Sequence, residues 1–192
     1  MRRYNNGTSI LFDATGGSGG SSTTWQNLTI GAHTIYANDS TTTPSNRTKY
    51  GYLYNWYAAK GIYTTGNIAS TDTLNICPSG WHVPTDAEWT TLTTELGGES
   101  VAGGKMKSIG TAYWNSPNTG ATNESGFSAL PGGYRNIDGS FDDIRNNAFF
   151  WSATEGSNNS AWGRSLNVNN GDVFRGNYDS KRFGASVRCL RD

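Results

Sequence analysis

The sharpest alternation of apolar and polar positions that fits a helix lies in VPTDAEWTTLTTELGG, residues 83–98. Trp89, Leu92 and Leu96 fall at i, i+3 and i+7 on one face. Thr85 and Glu88 form a T-x-x-E capping box, Asp86 and Glu88 suit the positive helix start, and Gly97 stops it. YGYLYNWYAAKG, residues 50–61, predicts a shorter helix carrying Leu53, Trp56, Tyr57 and Ala58 and ending at Lys-Gly. Earlier, WQNLTIGAHTIYAND reads as strand-like. After Gly98 the chain turns rich in Gly, Ser and Asn as far as about Phe127, which predicts long loops with one helical turn near residues 105–109.

The C-terminal third changes period from 3.6 to two. Leu166 and Val168 point one way, Asn167 and Asn169 the other. NNGD, residues 169–172, predicts a two-residue hairpin turn in which Asn-Gly supplies positive φ. Val173 and Phe174 cannot both face inward on a regular strand. Arg175 and Asn177 join the asparagine face if Phe174 is the buried one. ASVRCLR predicts a last strand with Ala185, Val187 and Cys189 on one face. Two helices followed by strands and long loops predict an α+β domain with a small antiparallel sheet.

Composition refines this picture. Hydrophobic content is only 34%, yet seven Trp, ten Tyr and seven Phe bury much area with few residues, so the core is aromatic. ATGGSGGSSTT reads as a flexible linker, which sets residues 1–24 apart as an arm and 25–192 as the domain. Fifteen basic and fifteen acidic residues cancel, and without a dense Lys/Arg run nucleic acid is not an expected partner. No apolar run predicts membrane insertion, and the first residues lack the apolar region of a signal peptide. Cys77 and Cys189 are either one bridge or two buried thiols.

The same third scatters asparagine through its best-patterned segment. Asn147, Asn158, Asn159, Asn167, Asn169, Asn170 and Asn177 lie between Phe149, Phe150, Trp151, Trp162, Leu166, Val168, Val173, Phe174 and Val187. Three segments, YGYLYNWYAA, CPSGWHVPTDAEWTTL and FSALPGGYRNIDGSF…FFWSAT…FGASVRCLRD, resemble the major-paralogous-domain (FISUMP) proteins from about Trp25 to Asp192. The resemblance implies a C-type lectin-like fold of the formylglycine-generating-enzyme type. Variable proteins of diversity-generating retroelements share that branch of fold, and in them asparagine codons are favoured targets of mutagenesis. On that likeness the asparagines are replaceable positions on a fixed scaffold, in a variable region of about residues 134–189.

Catalytic and metal chemistry find little support. Formylglycine-generating enzymes use a close cysteine pair near the C-terminus, whereas Cys77 is far from Cys189 in sequence. His33 and His82 are the only histidines, too few for a usual zinc or non-haem iron site. Asp138, Asp142 and Asp143 read as solvated acids after a turn rather than calcium ligands. The expectation is therefore a binding module with no catalytic residue, metal or cofactor. Its contact residues are Asn146, Asn147, Asn158, Asn159, Trp162, Arg164, Asn167, Asn169, Asn170, Asp172, Arg175, Asn177 and Tyr178, gathered on one exposed face. Asn supplies adaptable hydrogen bonds there, and Tyr and Trp supply large contacts. The implied partner is a protein or glycan on a target cell surface, and the implied location a virion tail or a cell surface. A FISUMP-type surface or structural protein without a variable face is the alternative, and an enzyme of the formylglycine-generating type comes third.

Overall fold

A computed structural model describes residues 1–14, 24–39, 41–63 and 74–192. The Gly/Ser-rich stretch and the segment around residue 70 lie outside them. β1 (Leu11–Phe12) pairs in parallel with β2 (Ala32–Thr34), and β2 pairs antiparallel with β3 (Leu53–Tyr54). Two helices flank β3: α1 (Asn46–Tyr50) and α2 (Trp56–Lys60). The single helix expected over residues 50–61 is thus a strand and a helix, because Asn55 accepts the Ala58 N–H and caps α2 at that point. Next come β4 (Trp81–His82), α3 (Asp86–Glu95) and α4 (Glu99–Met106).

The remaining strands are β5 (Gly132–Arg135), β6 (Phe141–Ile144), β7 (Asn147–Glu155), β8 (Ala161–Asn167), β9 (Val173–Tyr178) and β10 (Leu190–Arg191). Five of them form one sheet in the order β6-β5-β7-β8-β9, antiparallel except for β5 with β7, while β10 pairs with β4. The α+β class holds. There are four α-helices among the described residues rather than two, and three sheets rather than one.

β7 explains why the sheet sits at the centre of the molecule. Its sequence NAFFWSATE is apolar on both faces, as a doubly covered strand must be. Trp151 turns to one core with Tyr54, Trp56, Val83 and Ala185, with Phe149 packed against it. Ala148 and Phe150 turn to the other, with Trp89, Met106, Trp114, Leu166 and Val173. Indole N–H groups inside these cores donate to main-chain carbonyls: Trp151 to Tyr54 at 2.8 Å, Trp56 to Ser152 at 2.9 Å and Trp114 to Ala129 at 3.0 Å. Cys77 and Cys189 are joined by a disulfide that closes 112 residues of chain.

α3 carries the predicted capping box, with both the Thr85 and the Glu88 halves formed. α4 was expected as loop with a helical turn. Its glycines depress helix propensity, but tertiary packing overrides that: a Cβ on Gly103 would lie 2.0 Å from the Asp172 carbonyl oxygen, and one on Gly104 2.3 Å from that of Gly120. The N-terminal segment is integrated with the rest, for Tyr4 and Ile10 are buried in the first core. Buried Arg135 lies over the Trp25 ring at 4.3 Å and donates to the Asp13 carbonyl at 3.1 Å. No helix among the described residues is long and apolar enough to cross a membrane.

Candidate ligand-binding surface

The β8–β9 connection, residues 168–172, carries Asn169, Asn170 and Asp172, all exposed. It is not the expected two-residue turn, since neither Asn170 nor Gly171 has positive φ. A buried cation shapes it instead. The Lys107 ammonium, 0% exposed, donates to the carbonyls of Thr119 (2.9 Å), Asn167 (2.9 Å) and Asn170 (2.8 Å). Burial pushes its pKa down to about 8, so it keeps its proton at neutral pH. The main chain is fixed further by Gly104 N–H to the Gly171 carbonyl and Thr119 N–H to that of Val168, both at 2.9 Å. Hence the loop is held largely through its backbone, with the Asn167 and Asn170 side chains accepting the Asn169 and Asp172 N–H groups, while Asn169, Asn170 and Asp172 stand exposed and Val168 is buried in the core.

The β7–β8 connection, residues 156–160, is held the same way. Lys181, 2% exposed, donates its ammonium to the Asn158 carbonyl at 2.8 Å and to the Glu155 carboxylate. Its own N–H donates to the Asn159 carbonyl at 2.8 Å. Each lysine also lies over an indole, Lys107 over Trp114 and Lys181 over Trp56. The Asn158 and Asn159 side chains stand exposed above this grip.

These two loops sit at opposite ends of the β7–β8 hairpin, so the single asparagine face does not form. Asn177 belongs with the 156–160 end, where a Cβ on Gly156 would meet its amide at 2.1 Å. Asn146, Asn147, Asn167, Asn169, Asn170 and Asp172 belong to the other end. There the half-buried asparagines are tied to one another. Asn147 donates to the Asp143 carboxylate (2.6 Å), Asn167 to Asn147 Oδ1 (2.7 Å) and Asn169 N–H to Asn167 Oδ1 (2.7 Å). Asn146 accepts from Asn115 at 2.8 Å.

Arg164 is not a surface contact residue. It is 0% exposed and donates to the Asp86 carboxylate at 2.7 Å, to the Asp86 carbonyl and to Thr90. The register places it opposite Phe150 and Arg175 on the face covered by α3. Arg175 reaches the same carboxylate at 2.8 Å and stacks on Trp162 at 3.8 Å. Burial alone would raise the Asp86 carboxyl, but hydrogen bonds and charge from Arg175 and Arg164 hold it below the usual carboxylate range. Trp162, Arg164 and Arg175 thus clamp the hairpin to α3. Tyr178 packs its ring against Phe149, Trp151 and Phe183.

Phe174 moves in the other direction. Assigned to the framework by sequence, it is 64% exposed, because Val173 pairs with Leu166 on the buried face. Arg175 and Asn177, in register with Arg164 and Trp162, therefore share the face of Val173 rather than that of Asn167. The Phe174 ring lies over Gly176, where a Cβ would come within 2.8 Å of it. Beside it runs a groove of about 360 Å³ lined by Glu99, Ser100, Ser165, Asn167, Asn170 and Asp172. An exposed aromatic plate with hydroxyl, amide and carboxylate groups around it can stack on and hydrogen-bond a ligand. Parity gave a warning about Phe174, but nothing in GGKMKS distinguishes Lys107 from its exposed-side neighbour Lys105.

The family model described as Fibrobacter succinogenes major domain matches residues 3–191, nearly the whole chain and including the N-terminal segment. Comparison with characterised proteins and with solved structures returned no match.

Proposed function

Because the chain belongs to the Fibrobacter succinogenes major domain family, we propose from that premise that it is a binding protein which presents changeable side chains on a lectin-type scaffold, as the variable proteins of diversity-generating retroelements do. One observation carries the reading. Both asparagine-bearing loops are gripped by buried lysines through main-chain carbonyls, a grip indifferent to what the side chains are. Asn158, Asn159, Asn169, Asn170, Asp172 and Asn177 are the exposed side chains, of which Asn170 also accepts the Asp172 N–H, and Phe174 is the exposed aromatic among them. The ligand class is a protein or glycan on a target cell surface, and no catalytic step is assigned. A disulfide between distant segments suits an oxidising exterior, a virion or cell surface, better than a reducing cytosol.

Sequencing the gene's 3′ end and flank across isolates tests this. Differences confined to adenines in the codons of the named asparagines, with a near-identical template repeat downstream, are the expected result. Codons as invariant as those of Trp151 and Lys107 would overturn the variable reading.

A further inference from the structure

The N-terminal segment, β2 and α1 enclose a second groove, of about 730 Å³, within the range of about 300–1,000 Å³ typical of small-molecule sites. It shares no lining residue with the asparagine loops. Arg2, Arg3, Arg47, His33, Phe12 and Tyr52 line it, and no acidic side chain does among the described residues. Arg3 gives one N–H to the Gly7 carbonyl. The exposed guanidiniums of Arg2 and Arg47 have no hydrogen-bond or ion-pair partner among the described residues.

His33 forms its floor, lining the groove while only 2% exposed. Its Nδ1 lies 3.0 Å from the Leu11 carbonyl, which fixes the proton of the neutral ring on Nδ1. Nε2 is then an acceptor, and it is buried with no partner. Burial pushes the His33 pKa down to about 4, so the ring is neutral at pH 7 and Nε2 stays an acceptor. Phe12, itself 44% exposed, and Tyr52 flank the imidazole at 5.2 and 5.0 Å.

Three chemical demands converge here. Unpaired guanidiniums call for a planar anion such as carboxylate. A buried unsatisfied acceptor calls for a hydroxyl donor. Exposed ring faces call for C–H surface. Sulfate meets only the first demand, hydrogen phosphate only the first two, and a neutral sugar only the last two. We propose that this groove binds a carboxylated sugar, with Arg2 and Arg47 on the carboxylate, Phe12 and Tyr52 against the C–H face, and His33 Nε2 accepting from a hydroxyl admitted by a shift of the exposed Phe12 ring.

The test is a titration of ¹⁵N-labelled protein with D-glucuronate, D-glucose, sulfate and a tetragalacturonate, read on the His33 ring nitrogens and the backbone amides around the groove. Saturable binding of glucuronate that moves the Nε2 resonance, with glucose and sulfate at least tenfold weaker, is expected. Arg2→Ala and Arg47→Ala are exposed changes that keep the fold, and each should weaken glucuronate about tenfold. Tighter binding of the tetragalacturonate assigns the source to an acidic polysaccharide, and equal binding assigns it to a free sugar acid. No saturable shift, sulfate binding as well as glucuronate, or an Arg47→Ala variant of unchanged affinity would overturn the proposal.

Discussion

Lys107→Met removes one buried charge and keeps a stem of similar length, so it isolates what the ammonium does. Three charge-assisted hydrogen bonds end on Thr119, Asn167 and Asn170. Each such bond is worth about 1.5–3 kcal/mol net of its exchange with water. Against this stands the cost of burying an ammonium, several kcal/mol, which the methionine no longer incurs. The net expectation is a loss of about 2–4 kcal/mol, or about 5–15 °C in Tm for a domain of this size. Urea unfolding measures the first quantity. Hydrogen exchange locates it: the N–H groups of Thr119 and Gly104, which bond to Val168 and Gly171 of the same loop, should lose protection before the sheet does. Asn169→Tyr, an exposed change in that loop, should move stability by about 0.5 kcal/mol or less. A Lys107→Met protein within about 0.5 kcal/mol of the parent, with both amides still protected, would refute the view that this cation holds the loop.

Other substitutions probe the remaining supports. Gly103→Ala should destabilise by about 1–3 kcal/mol, reversing the usual gain from alanine in a helix, because the new methyl meets the Asp172 carbonyl; thermal unfolding decides the sign. Asp86→Ala strips the partner from a buried guanidinium and should cost about 3–5 kcal/mol in urea unfolding, with Arg164→Ala added to it giving less than the sum. Cys189→Ser opens a cross-link spanning 112 residues, for which chain entropy gives about 4–5 kcal/mol, to be compared with the parent under reducing and non-reducing conditions. His82, bonded to Asp192 at 2.5 Å and Glu88 at 2.9 Å, has its pKa raised above 6.5, chiefly by the Asp192 bond. That clip contributes fully below about pH 6.5 and is lost as pH rises through the raised value, so Tm should fall as pH rises from about 6.5 through that value in the parent more than in His82→Asn.

Local signals were legible where local forces decide. The Thr85–Glu88 box, the Leu166–Asn167–Val168 alternation and the inward run of Ala185, Val187 and Cys189 are each written within a few residues and found in place, whereas Asn169 lies past the end of β8 and ASVRCLR is a strand only at Leu190–Arg191. Ala185 is buried and the other two pack on the same core, although that segment reaches the main sheet by isolated bridges rather than a full ladder. What escaped was set by partners distant in sequence. α4 exists because its glycines admit the backbone of residues 120 and 171–172. The 168–172 loop departs from a tight turn because a lysine some 60 residues earlier fills its interior. Arg164 looked like a surface arginine in a polar stretch, and only the approach of α3, 78 residues away, makes it buried. The candidate surface was therefore half legible: Asn158, Asn159, Asn169, Asn170, Asp172 and Asn177 stand exposed as expected, whereas their division between two ends depends on hairpin length.

That length has a consequence for recognition. The nine residues of β7 rise about 3.3 Å apiece, so the two asparagine loops stand roughly 26 Å apart. Substitutions separated by more than about 10 Å add their free energies with little coupling. The two ends are therefore independent addresses on one molecule. If the loops bind as proposed, a ligand shorter than the hairpin would read one of them, and a change at one end would alter its affinity without re-tuning the other. On the proposed variable reading, variation would multiply across the pair while each new loop faced only its own lysine, so the number of distinct surfaces would grow as a product and the number of folding constraints only as a sum.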